Sequence, residues 1–389
     1  MIAQTQAPPP PEQAARPRLR ERVYAWLDER TGLDAMLKMP MPRSAGWLHT
    51  LGGISFFLLL LQFGTGILLA MYYRPTPEAA YDSVRHIGNH VAYGWLIRGL
   101  HHWGANAMVL LVFLHGVRVL FYSAYKPPRE LNWITGIGLM GVTLGFSFTG
   151  YLLPWDQLSY WATTVGTQLT DAVPIIGKQL LVILRGGEHV GGQTLTRFFA
   201  IHVVVLPLTA LALLGIHFAL ERRLGLVEAP WRRFRSRGPT DDVAAPHGAG
   251  GEPFYPNHVW REGVVFCLVF ALLLALIALL PPQLHPKANP AETPEHIKPE
   301  WYFLAAYQFL KLFPQRIPVL AGIPGVNLIL GEGRFFSMVL QGLAMLALVL
   351  LPFLDRSPER DPRRRPKFTI IAVAGLLALL ALTLWGKYS

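Results

Sequence analysis

The chain is short of charge and almost without cysteine. Asp, Glu, Lys and Arg make up 15% of its 389 residues, against about 25% in a typical soluble domain. Hydrophobic residues reach 52%, in long runs separated by short polar patches. This pattern excludes one large soluble core and fits a polytopic membrane protein. The single cysteine, Cys267, excludes an internal disulfide, an iron–sulfur cluster held by cysteines, and haem attachment through a CxxCH motif. Its place in an apolar run makes it an expected small buried hydrophobe. Acidic residues are outnumbered 24 to 35, for a net charge of +11. The basic residues cluster beside the apolar runs, so topology explains them and no nucleic-acid partner is expected. No cleavable signal peptide is visible. The polar N-terminal stretch with its run APPPPEQ reads as a flexible tail.

A bilayer-spanning helix needs about 20 mostly apolar residues. Seven candidates are present, at 46–73, 95–123, 132–153, 197–221, 259–281, 335–355 and 368–386. The expected fold is all-α, a four-helix bundle followed by a three-helix portion. The chain divides into an N-terminal segment 1–45, the bundle 46–221, an Arg-rich connection 222–258 and a C-terminal portion 259–389. The last contains a Pro- and Gly-rich loop, 282–334, and loops of that length are usually functional. Flanking Lys and Arg set the orientation. Arg16, Arg18, Arg20 and Arg22 form one group; Arg222, Arg223, Arg232, Arg233, Arg235 and Arg237 form a second. Arg356, Arg360, Arg363, Arg364, Arg365 and Lys367 form the third. Seven spans put all three on one side, with the N-terminus cytoplasmic and the C-terminus and the 282–334 loop external.

Histidines are costly in such helices, yet two spans carry them in matched pairs. His101 and His115 are 14 residues apart. At about 100° per residue they fall about 40° short of four full turns, so they share a face, about 21 Å apart along the axis. His202 and His217 are 15 apart, about 60° past four turns and about 22 Å apart. Both spans run the same way, so His101 can face His202 and His115 can face His217. Two planes of paired neutral imidazoles about 20 Å apart fit two bis-histidine haems. Zinc fits poorly, because no level offers a third ligand. His102 points about 100° away from His101, so it reads as a structural residue or one that supports a ligand from behind.

Glycines repeat at the histidine spacing: Gly52 and Gly66 in span one, Gly136 and Gly150 in span three. Glycine lets a backbone approach a flat macrocycle closely. Arg98, Arg118 and Arg197 lie near the helix ends, where haem propionates need cations.

With these residues in place the chain resembles cytochrome b of the quinol:cytochrome c reductases, the bc-type complexes. The resemblance runs over most of residues 20–386 and rests on GWLIRGLHHWGA, TGYLLPWDQLSYWA, TRFFAIH and KPEWYF. Several details are similar to the chloroplast branch, in which a four-helix cytochrome and a three-helix subunit IV are separate chains. These are the 15-residue histidine spacing, LPWDQ, KPPRELNWITG, FYPN and seven spans rather than eight. Here both pieces are joined.

The resemblance implies two non-covalent b haems, His101 and His202 binding the low-potential outer one and His115 and His217 the high-potential inner one. Pro299, Glu300, Trp301 and Tyr302 look like the PEWY motif of a quinol-oxidation site, with quinol bound between that motif and PWDQ. It implies electron bifurcation, one electron leaving to a Rieske iron–sulfur protein and the other crossing both haems to an inner quinone site, coupled to proton translocation. Glu300 is the expected proton acceptor, and Tyr302 hydrogen-bonds the quinol or walls the site. Glu262 and Arg261 stand where related proteins place a Lys–Asp pair at the inner quinone, although a helix N-terminus also favours acids. A c-type cytochrome or similar acceptor, a homodimeric complex and the bacterial inner membrane are further expectations. One departure is plain: chloroplast-type proteins hold a covalent extra haem on a cysteine, and Thr50 stands at the matching position, so no covalent haem is expected. A di-haem anchor of a hydrogenase or formate dehydrogenase would not need PEWY. A transporter with a histidine proton relay would carry no chromophore.

Overall fold

The structure, a computed structural model, describes residues 18–38, 41–42, 45–230, 253–295, 297–318 and 329–389. The Pro-rich tail with Arg16, and Arg232, Arg233, Arg235 and Arg237, lie outside the described residues. Two helices, α1 (Leu19–Thr31) and α2 (Leu33–Leu37), precede the apolar part. The first span opens in a tight 3-10 turn, Trp47–Thr50, and continues as α3 (Leu51–Ala70). The amphipathic α4 (Ala80–His90) leads into α5 (Gly94–Phe121), which carries the first histidine pair. α6 (Glu130–Tyr151) is the third span, and α7 (Gln157–Gln168) and α8 (Gly177–Arg185) follow it. α9 (Gly192–Ala200), a π turn (Ile201–Val205) and α10 (Leu206–Leu224) form one continuous fourth span. α11 (Val259–Leu279), α12 (Trp301–Lys311), α13 (Gly333–Val349), the single turn α14 (Leu351–Leu354) and α15 (Pro366–Tyr388) complete the chain.

Among the described residues six helices are long and apolar enough to cross a membrane. The expected span 335–355 is instead two pieces, α13 of 17 residues and α14, parted at Leu350. Pro352 explains the break, since it has no N–H for the carbonyl four residues back and its ring crowds that carbonyl. The freed carbonyl, Leu348 O, accepts from Trp133 Nε1 at 2.8 Å. Among the described residues the departures from all-α structure are a small antiparallel ribbon, Arg316–Pro318 with Ile329–Glu332, and an isolated bridge between Asp156 and Lys287.

α3 packs along α5 and α6 along α10, while α11 lies against α3 and α5. Leu58, Leu100, Leu273 and Ile277 close the first of these contacts. Gly99 sits directly beneath Ile277, where any side chain would collide. The end of α6 is sealed by a second cluster around Trp155, Tyr160, Leu195 and Phe198. Cys267, expected to be buried, is exposed. α11 buries only the stripe through Leu273 and Ile277, and an outward apolar residue is as well solvated by lipid as by protein.

A buried charge cluster ties the C-terminal portion to the turn between α5 and α6. Asp355 accepts from the Tyr125 hydroxyl and the Arg365 guanidinium, and Lys126 Nζ lies 2.9 Å from its Oδ2. Burial would raise the Asp355 carboxyl, but hydrogen bonds from Tyr125, Lys126 and Arg365 overcome it and hold the group below the usual aspartate value. Its stabilisation is present above the unfolded-state value of about 3.9 and is lost as pH falls through the lower folded value. Asp355→Ala leaves Lys126 and Arg365 buried without their anion, at a cost of about 3 kcal/mol. The unfolding temperature in detergent should drop by several degrees; an unchanged midpoint would show the cluster to be idle.

Candidate functional site

The rotation of the fourth span is set by a proline. Pro207 has no N–H to donate, and the helix opens there by one residue: Leu206 N donates to Ile201 O, five residues back. A π turn of this kind takes up one extra residue. Fifteen residues from His202 to His217 therefore turn the helix about as far as 14 turn α5 between His101 and His115. The unequal spacings of the two helices become equal in space.

The rings meet in pairs as that rotation requires. His101 and His202 have centroids 6.3 Å apart, room for one metal ion bonded to both at about 2 Å per bond. His115 and His217 line one opening, together with Arg118, Asn132, Gly136 and Glu221. Among the described residues no group of three or more His, Cys, Asp or Glu could hold a metal ion. Two imidazoles per level suit a haem iron, whose other ligands come from its macrocycle, better than a tetrahedral zinc.

Each of the four glycines stands against one of the four rings. A Cβ on Gly52, Gly66 or Gly136 would lie 3.3 Å from Cε1 of His115, His101 or His217, and one on Gly150 would lie 2.6 Å from Cε1 of His202. The cradle is thus internal to each helix pair: α3 receives both rings of α5, and α6 receives both rings of the fourth span, His202 in its π turn and His217 in α10.

Three rings are also held by threonines that the histidine spacing did not flag. Thr65 Oγ1 is 3.0 Å from His101 Nδ1, Thr135 Oγ1 is 3.1 Å from His217 Nδ1 and Thr149 Oγ1 is 3.2 Å from His202 Nδ1. Each hydroxyl already donates to a backbone carbonyl of its own helix, so it accepts from the ring. The carbonyls of Gln62, Asn132 and Phe146 are further acceptors for His101, His217 and His202. With each hydroxyl proton already committed, Nδ1 carries the hydrogen and Nε2 is left as a lone pair for a metal. The sequence signal is the pair Thr-Gly at 65–66, 135–136 and 149–150.

The arginines are placed differently from one another. Arg118 is buried, stacked 4.5 Å over the Tyr122 ring, with Nε and Nη2 lacking partners inside the cavity that His115 and His217 share. Arg98 donates to Pro282 O at 3.1 Å and Gln283 O at 3.2 Å, and Arg197 donates to Ile183 O. His102 is exposed, edge-on to Trp103.

Glu300 is the residue before the first turn of α12 and makes no side-chain cap. Trp301 Nε1 donates to Asn106 Oδ1 at 2.8 Å, fixing the motif to α5. Phe303 meets Phe148 of α6 edge-on at 6.2 Å, and Ser147 stands beside the Tyr302 hydroxyl. Glu300, Tyr302 and Tyr151 are close enough to interact electrostatically. Burial pushes the Glu300 carboxyl above its ordinary value, with Lys387 opposing; burial likewise raises the Tyr302 phenol and keeps it a donor. Pro299 is half-buried beside them. Asp156 and Gln157 of PWDQ hold the loop that leads to this motif, through His285 N, Pro286 O and Asn289 N.

At the opposite end Glu262 lies 3.4 Å from His258 Nε2 and leans over Gly53, next to Gly52. Arg261 turns the other way and donates to Ala45 O at 3.2 Å. Glu221, which the sequence did not single out, lies within electrostatic reach of Glu262 and of Arg118. Thr50 is buried and donates to Trp47 O at 2.7 Å.

Long apolar helices around two levels of paired imidazoles define an integral membrane protein built to hold flat prosthetic groups. A family model described as Cytochrome b/b6/petB matches residues 36–225, and one described as Cytochrome b(C-terminal)/b6/petD matches residues 287–389. The chain belongs to the cytochrome b family, proteins of membrane electron transport. A cytochrome bc complex cytochrome b subunit of Chlorobaculum thiosulfatiphilum is 35% identical over 379 residues, 95% of this chain and 82% of the relative. A menaquinol:cytochrome c reductase cytochrome b subunit of Bacillus subtilis (strain 168) is 43% identical over 217 residues, 53% of this chain and 97% of the relative. A solved chain of a hyperthermophilic respiratory Complex III superposes with a TM-score of 0.78 at 32% identity, covering 93% of this chain and 91% of that one.

Proposed function

We propose that the chain is the cytochrome b subunit of a bc-type quinol:cytochrome c oxidoreductase that binds two non-covalent b haems, each between two histidines. The carrying observation is the set of four rings, each against its own glycine and paired across the two helix pairs. When bound, haem supplies a one-electron iron couple at each level, and two levels are what a hydrocarbon core of about 30 Å demands. The protein's own part is to hold the rings. Nδ1 donates to threonine and carbonyl oxygens, Nε2 is left free for iron, and Arg118 offers two unpaired nitrogens to a carboxylate such as a haem propionate. The site accepts no covalent link at position 50, which is a threonine.

Quinol is oxidised beside Pro299–Tyr302, with Glu300 as proton acceptor and Tyr302 as hydrogen-bond donor. The reading is supported by the raised Glu300 carboxyl close to Tyr302, since a base works best with a value brought towards the working pH. The haems that His101 with His202 and His115 with His217 would hold would supply one-electron carriers for bifurcated oxidation, between a Rieske partner on the PEWY side, where protons would leave, and a quinone near Glu262 and Arg261. A c-type cytochrome takes the Rieske electron, the complex is a homodimer, and the N-terminus faces the cytoplasm of a bacterial inner membrane.

The test is a reduced-minus-oxidised spectrum of the purified chain with its copurifying subunits, expected to give two b-type haems per chain; a colourless protein overturns the reading. Glu300→Gln should keep both haems yet slow quinol oxidation by roughly a hundredfold. In the unchanged protein the rate should fall as pH drops through the raised Glu300 value, and the variant should lose that limb. A native rate in the variant removes Glu300 from the proton path.

A further inference from the structure

One of the four rings is held differently. The Nδ1 of His115 is buried and has no hydrogen-bond partner. The position before its glycine is Leu51, whereas Thr65, Thr135 and Thr149 precede the other three. The backbone offers no substitute. Gly66, Gly136 and Gly150 each follow at least one full helical turn, which presents the carbonyls of Gln62, Asn132 and Phe146. Gly52 is the second residue of α3, and the turn before it, Trp47–Thr50, is 3-10. His115 otherwise sits as the others do, with Nδ1 on the glycine side, 3.7 Å from a Cβ on Gly52 against 3.9 Å for His101 and Gly66. The His101–His202 level therefore has two anchored rings and the His115–His217 level has one.

A hydrogen bond from Nδ1–H to an acceptor makes an imidazole more basic and so favours the more highly charged, oxidised metal. Resting on the haem reading above, we propose that Leu51 sets the order of the two haem potentials. By leaving His115 unanchored it makes the His115–His217 level the easier one to reduce, so that electrons entering at the level nearer PEWY run downhill to the other. Leu51, Thr65, Thr135 and Thr149 are positioning residues in this scheme, acting only through the rings.

The experiment is a spectroelectrochemical titration of both haems in the purified complex. Thr149→Val keeps the shape of the side chain and removes the hydroxyl acceptor, leaving His202 only the Phe146 carbonyl. It should raise the midpoint of the His101–His202 haem, changing its reduced-to-oxidised ratio at fixed potential about tenfold, or about 59 mV for a one-electron couple. Thr65→Val should act on the same haem in the same direction. Leu51→Thr should lower the midpoint of the other haem and narrow the gap between them. No charged residue changes in any variant, so a shift reports the hydrogen bond. Both haems retained with midpoints unmoved in Thr149→Val and Thr65→Val, or moved downward, overturns the proposal while the haem reading stands. An unchanged protein with no b-type band overturns the reading beneath it.

Discussion

A His202→Ala chain should hold one haem where the unchanged chain holds two. Each level has two imidazoles, and among the described residues no further ligand is at hand to replace one. With the ring of His202 gone, His101 faces an empty space, and Thr149 loses the donor it accepts from. The His115–His217 level lies about 21 Å away along the helices and shares none of these contacts. Haem per chain, measured as the pyridine derivative, should fall from two to one, and quinol-dependent cytochrome c reduction should fall to background. Loss of both haems from a folded chain, or retention of both, contradicts the pairing.

Gly150→Ala should have nearly the same effect by adding one methyl group. That methyl would stand 2.6 Å from His202 Cε1, a distance that forces something to move, whereas Gly66→Ala brings a methyl to 3.3 Å from His101 Cε1. The ring of His202 has little freedom to retreat. Thr149 holds its Nδ1, Phe146 meets it edge-on at 5.4 Å, and overpacked sites of this kind cost typically 1–3 kcal/mol. Gly150→Ala should therefore lose the His101–His202 haem and leave the other in place, while Gly66→Ala should keep both with weakened retention. Equal haem content in the two variants would show that these glycines serve helix packing and not the rings.

Much of this arrangement is legible in the chain because its constraint is periodic. Histidines 14 and 15 apart and glycines 14 apart announce matched levels on neighbouring helices. The span positions follow from apolar length alone, except where Pro352 divides the last part of 335–355. What periodicity cannot reveal is direction. It gave the glycines a spacing without saying that each looks at an imidazole edge. It could not tell that Arg98 and Arg197 spend their donors on backbone carbonyls while Arg118 keeps two free of partners. The threonines do not stand out in the sequence, because hydroxyls are common in such helices and only the adjacent glycine makes them distinctive. The π turn was hidden too, although Pro207, five residues after His202, marks where the ladder fails.

The glycine cradles are local and the histidine pairs are not. α3 with α5 forms one hairpin and α6 with the fourth span another, and each seats its own two rings. Every pair, however, draws one ring from each hairpin. A nascent chain that has inserted only its first hairpin presents two correctly oriented imidazoles and no complete site. The second hairpin must dock in register, to within a fraction of a helical turn, before either level can close. If each haem needs both rings of a level, as proposed above, cofactor capture would report on finished assembly, and a chain stalled halfway would offer an iron only one ring at each level.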